Sequence, residues 1–134
     1  MALAVLIRAV LWWVAILIMA ILNGILREKL LIPSIGSFAA LMTSGLILSC
    51  LIFLVSCIAM PGLGHLTAAQ YWIIGLVWLV MTLIFEFSFG IFVQHKELSE
   101  LLQAYTFKGG NSWPVVLAST LISPRLAAHL KGLF

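Results

Sequence analysis

Charge is what this chain of 134 residues has least of: Asp, Glu, Lys and Arg make up 8 % of it, 64 % is hydrophobic, and the mean hydropathy is +1.25. A soluble domain averages about 25 % charged and about 45–50 % apolar residues. With so few charges the chain cannot cover a water-facing surface, so lipid must solvate much of it. The seven Lys and Arg residues are scattered, without the basic stripe or aromatic interleaving of a nucleic-acid surface. Nucleic acid is excluded as a partner on that ground, and the lipid bilayer is the expected one.

Cysteine is also scarce. Cys50 and Cys57 share a helical face two turns apart, a rise of about 10.5 Å. That is too far for a disulfide between them, and they read as small buried hydrophobes. His65, His95 and His129 have neither the spacing nor the carboxylate companions of a metal site. The CxxC, P-loop, GxSxG and HExxH patterns are all missing. No metal or cofactor is expected. The missing motifs argue against a standard enzyme, while an unfamiliar membrane-embedded one stays open.

Long apolar runs are what the chain does have, and they predict an all-α integral membrane bundle in one domain over residues 1–134. A span needs about 20 helical residues to cross the ~30 Å hydrocarbon core. The first runs over 4–26 as an uncleaved transmembrane helix, since its apolar run exceeds the ~7–15 residues of a signal-peptide core. A short loop is expected at Pro33, Ser34 and Gly36. The second span covers 37–60 and stops at Pro61, Gly62 and Gly64. The third covers 67–93, with Tyr71 and Trp72 anchoring its entry at the interface.

Beyond it the texture turns polar. Leu98, Leu101, Leu102 and Tyr105 fall at i, i+3, i+4 and i+7, the stripe of an amphipathic helix over 96–107. Such a segment suits docking in the interface plane or onto a partner protein. Gly109 and Gly110 end it. A fourth span over 113–130 opens with the interfacial ring of Trp113 and a first-turn Pro114. It is expected to kink at Pro124, next to Arg125, with a re-entrant half-helix as the alternative. Arg27, Lys29, Lys96 and Lys108 lie on one side of this layout, against Arg8, Lys131 and the N-terminal amine. The count favours cytoplasmic first and third connections by a narrow margin.

The polar positions inside the spans are the candidate sites. Glu86 lies seven residues before the end of the third span, flanked by Phe85 and Phe87. A charge near a span centre costs ~2.5–3.5 kcal/mol on insertion scales, so it needs a proton or a cationic partner. Arg27 and Arg125 are the expected partners. Asn23, Arg27 and Glu28 end the first span and extend this polar cluster. Small residues mark helix-packing faces: Ala20 with Gly24, and Gly45, Ser49 and Ser56 in the second span.

The stretches NGILREKLLIPSIG, FEFSFG, LLQAYTFKGGNSWP and ISPRLAAHL resemble a family of small, four-span bacterial membrane proteins. The resemblance covers much of the chain after Asn23. It implies a multi-pass protein of the bacterial inner (cytoplasmic) membrane, and it assigns no activity or catalytic residues.

These observations favour a protein that works through helix–helix contacts, as a homo-oligomer or as an accessory subunit of a larger membrane complex. Two other classes remain. One is a small proton-coupled transporter using Glu86. The other is a lipid- or quinone-modifying membrane enzyme built on Arg27, Glu28 and Glu86.

Overall fold

The computed structural model describes residues 3–63, 66–93, 95, 97–99 and 113–132. Its regular elements are all helical: α1 (Leu3–Leu26), a π-helical turn (Arg27–Leu31), α2 (Ile32–Ile35), α3 (Ser37–Leu63), α4 (Ala68–Ser88), a second π-helical turn (Phe89–Val93) and α5 (Trp113–Leu130). Three continuous helical stretches are long and apolar enough to cross a membrane: Leu3–Ile35, Ser37–Leu63 and Ala68–Val93. The expected fourth span, α5, is not among them. Its 18 residues reach about 27 Å, short of a ~30 Å core, and Pro124, Arg125 and His129 dilute its hydropathy.

Two expected breaks fall later than the prolines that announce them. Instead of a loop at Pro33 and Ser34, helix carries on to Ile35. Pro33 has no N–H and its ring crowds the carbonyl of the preceding turn. The chain accommodates this upstream by widening one turn, where the Ile32 N–H reaches back to the Arg27 carbonyl. The break comes at Gly36, whose φ of 85° and ψ of 164° lie in a region essentially reserved for glycine. Pro61 likewise sits inside α3, which continues to Leu63. At the other end of that connection, α4 starts on a capping box. The Thr67 hydroxyl accepts from the Gln70 N–H, and the Gln70 side chain accepts from the Thr67 N–H at 2.9 Å.

Long-range hydrogen bonds fix the topology. The Arg8 guanidinium donates to the Gly62 carbonyl at 3.4 Å, and the Ser44 hydroxyl donates to Asn23 Oδ1, so α1 and α3 are antiparallel. The Trp78 indole donates to the Ala9 carbonyl at 2.8 Å and the Trp13 indole to the Thr82 hydroxyl at 3.0 Å, so α1 and α4 are parallel. The most extensive contacts are those of α5 with α3 and α4, followed by those of α1 with α3.

Burial follows from that order. α3 buries residues on two faces, from Ala40 and Ser44 to Met60 and Leu63. α1 buries Ala9, Ile16 and Asn23, a seven-residue repeat that gives a narrow seam of the 3–4 packing type. α5 buries Val116, Leu117, Thr120, Ser123, Pro124, Ala127 and Ala128. These are mostly small, and small residues let helix backbones approach closely in a medium where association rests on packing. Gly75 of α4 shows how closely. A Cβ added there would lie 2.9 Å from the Leu121 carbonyl carbon and nearer still to its oxygen.

Candidate functional site

Inside a bilayer every polar group needs a partner within the protein, so the partners show what each group does. Four hydroxyls are satisfied by their own helix. Ser49, Ser56, Thr82 and Thr120 each donate to a carbonyl one turn back, at 2.9, 2.9, 2.7 and 2.8 Å. Gly45 and Ser56 are buried and Ser49 is half-buried. The expected pairing of Ala20 with Gly24 divides. Ala20 packs against the core, whereas a Cβ on Gly24 would meet only the Arg27 guanidinium, 3.8 Å away.

Glu86 is half-buried, and its Oε2 accepts a 2.6 Å hydrogen bond from the Trp113 indole. Phe85 stacks on Phe89 beside it, ring centroids 5.5 Å apart. Trp113, expected as an interfacial docking ring, is therefore a ligand of the carboxylate. The reason is where α5 begins. Its first turn lies level with Glu86. A charge-assisted bond from a neutral indole stabilises the carboxylate without bringing in a second charge.

The expected cationic companions of Glu86 are elsewhere. Because Ala9 is level with Trp78 and Trp13 with Thr82, Glu86 is level with Leu17 of α1. Arg27 stands ten residues further along α1, about 15 Å at the α-helical rise. Its Nε pairs instead with Glu28 Oε1 at 3.3 Å, on an exposed surface. Arg125 lies at the opposite end of α4 from Glu86, its guanidinium carbon 5.7 Å from the Trp72 ring centroid. Trp72 precedes Glu86 by fourteen residues, about 21 Å of helix. Arg125 thus makes a cation–π contact far from the carboxylate.

Asn23 is 5 % exposed and bound to Ser44, which is 1 % exposed. This pair joins α1 to α3 near the Arg27 end of the bundle. Of the expected docking stripe, Leu98 is exposed, while Leu101, Leu102 and Tyr105 lie outside the described residues. Cys50 and Cys57 are free, Cys50 exposed and Cys57 half-buried against the core. The expected cluster of Glu86, Arg27, Asn23, Glu28 and Arg125 is thereby divided among separate seams.

Sequence reasoning passes over the residues that make those seams. Trp13, Thr82 and Ser44 are long-range partners with no local signature. Gly75 did carry a signal, as a glycine in the middle of a helical apolar run. Trp78 carried one too, since a buried indole N–H must find an acceptor. Comparison with known proteins adds no relative: no family model, curated protein or solved structure matches the chain.

Proposed function

We propose that the chain is a non-enzymatic, multi-pass membrane protein that acts through helix contacts, as a homo-oligomer or as an accessory subunit of a membrane assembly. The observation that carries this reading is the dispersal of the polar groups among the described residues. Asn23–Ser44, Glu86–Trp113 and Arg125–Trp72 lie at three depths and each links two different helices. Catalysis needs reacting groups converging on one point, and these pairs instead pin helix register.

The outer faces also fit this role. Only 11 % of the span window in each of Leu3–Ile35 and Ala68–Val93 is buried within the chain. Those faces are available to lipid and to other helices, and in the proposed setting, a bacterial inner membrane, α5 completes a four-span bundle. The test is the mass of the full chain in lipid nanodiscs, measured after mild extraction. A strictly monomeric particle with no stoichiometric companion overturns the proposal.

A second reading, a proton-coupled carrier, draws support from Glu86, an acid within an apolar span that is only half-buried. Proteoliposome flux that survives Glu86→Gln removes that reading. The third class, a lipid- or quinone-modifying enzyme, has less support, because Arg27 and Glu28 stand about 15 Å along the axis from Glu86.

A further inference from the structure

On the outer side of the α1–α3 seam a cleft of about 200 Å³ is lined by Met19, Leu22, Asn23, Leu26, Ile47 and Leu51. Five of the six are apolar, and the sixth is the one buried amide of the seam. Asn23 spends its Oδ1 on the Ser44 hydroxyl, while its Nδ2 has no hydrogen-bond partner among the described residues. A buried donor left unpaired is destabilising, and in hydrocarbon no water relieves it. Asn23 lines the cleft with its Nδ2 beneath the wall, so a rotation of the amide brings that donor to an occupant carrying an acceptor.

Charge narrows the choice. Arg27 stands one turn beyond Asn23 on the same face of α1, and its guanidinium folds back over Gly24. Its Nε is taken by Glu28, and its Nη groups have no hydrogen-bond partner among the described residues. Lys29 is exposed beside it, so Arg27, Glu28 and Lys29 together carry a net positive charge. An apolar wall, an inner amide donor and an outer cation make a graded site. Its complement is an amphiphile with a hydrocarbon chain, an ester carbonyl and an anionic head.

We propose that this cleft binds an anionic phospholipid. The phosphate sits at Arg27, an ester carbonyl accepts from Asn23 Nδ2, and an acyl chain lies along Leu22, Leu26, Ile47 and Leu51. Depth agrees with this. Asn23 is four residues inside Arg27, about 6 Å, comparable to the step from phosphate to ester carbonyl in a glycerophospholipid. A second helix could supply an acceptor to Asn23, but it would leave the Arg27 cation unused. Basic pockets at the ends of membrane helices recognise headgroups by the same electrostatics. The proposal stands independently of the oligomeric role proposed above.

The test uses the full chain, delipidated and then equilibrated with equimolar phosphatidylglycerol and phosphatidylcholine, with retained lipid read by native mass spectrometry. The expected result is a roughly tenfold preference for phosphatidylglycerol. Asn23→Leu lowers retained phosphatidylglycerol by about tenfold, and Arg27→Gln equalises the two lipids. Leu51→Trp fills the cleft without touching a polar group and gives the same loss as Asn23→Leu, which guards against a folding effect at the Ser44 contact. Helix content by circular dichroism stays unchanged throughout. Equal retention of both lipids by the unmodified chain overturns the proposal. So does unchanged retention in Asn23→Leu and Leu51→Trp. A dimer peak that these variants abolish while lipid adducts persist also overturns it, by assigning the cleft to a second copy.

Discussion

Gly75 lies directly against the carbonyl of Leu121, with no room for a side chain between them. That contact sets the distance between α4 and α5, and with it the height at which Trp113 meets Glu86. Gly75→Ala must push the two helices apart. The expected cost is about 1–3 kcal/mol, seen as a lower midpoint of thermal unfolding in detergent, with Gly75→Leu worse. An unchanged midpoint for both variants shows that the helices are not in backbone contact.

The Trp113–Glu86 bond predicts a measurable coupling. Trp113→Phe keeps the ring and removes only the donor, and Glu86→Leu removes the acceptor. A double-mutant cycle should give an interaction of about 1–3 kcal/mol. Additive effects exclude the bond. The pair should also show in tryptophan fluorescence, with Glu86→Leu altering the emission of Trp113 relative to Trp113→Phe controls.

Much of the layout was legible in the chain, and the reason is solvent. Apolar length alone marks a spanning helix, so the three runs ending near Leu26, Met60 and Val93 stand out. Glu86 was also legible as an interior group, because a carboxylate among phenylalanines is anomalous wherever it falls. Its partner was not. Depth along one helix can be counted from the sequence, but the height of one helix relative to another is set by contacts such as Gly75–Leu121 and Trp78–Ala9. Sequence spacing from an assumed membrane surface put Arg125 near Glu86, whereas those contacts put it beside Trp72. Local punctuation misled in a related way. Pro33 and Pro61 read as stops, yet a widened turn accommodates the first and the last turn of α3 accommodates the second.

The two indole bridges between α1 and α4 should carry comparable weight. Trp78→Phe and Trp13→Phe each lose one hydrogen bond, with an expected cost of about 0.5–1.5 kcal/mol apiece. Trp78 is fully buried, so its replacement should also speed unfolding, measured by loss of tryptophan signal after dilution into denaturing detergent. If neither variant shifts stability, α1 is held by apolar contact alone.

Gly36 is the single residue joining the first helical stretch to α3, and its backbone angles suit no other residue. Gly36→Ala is expected to cost about 1–3 kcal/mol, although a Cβ there would meet nothing within 4 Å. The penalty is conformational and not steric. Gly62→Ala is the control, because it meets equally open space in a helical conformation and should leave stability unchanged or improved.

The widened turn at Arg27–Leu31 has a consequence for how this chain tolerates insertions and deletions. A π turn holds one residue more than an α turn, so it acts as a phase reservoir. Deleting Lys29 would restore ordinary winding and leave Ile32–Ile35 in nearly its present angular position relative to α3. Asn23 and everything before it would keep its angular position. The second such turn, Phe89–Val93, ends α4 on the same side of the bundle, beyond Glu86. Length changes are thus absorbed at one end of the molecule, where both widened turns lie. The other end, ordered around Arg8, Trp72 and Arg125, is the datum from which every height in the bundle is measured.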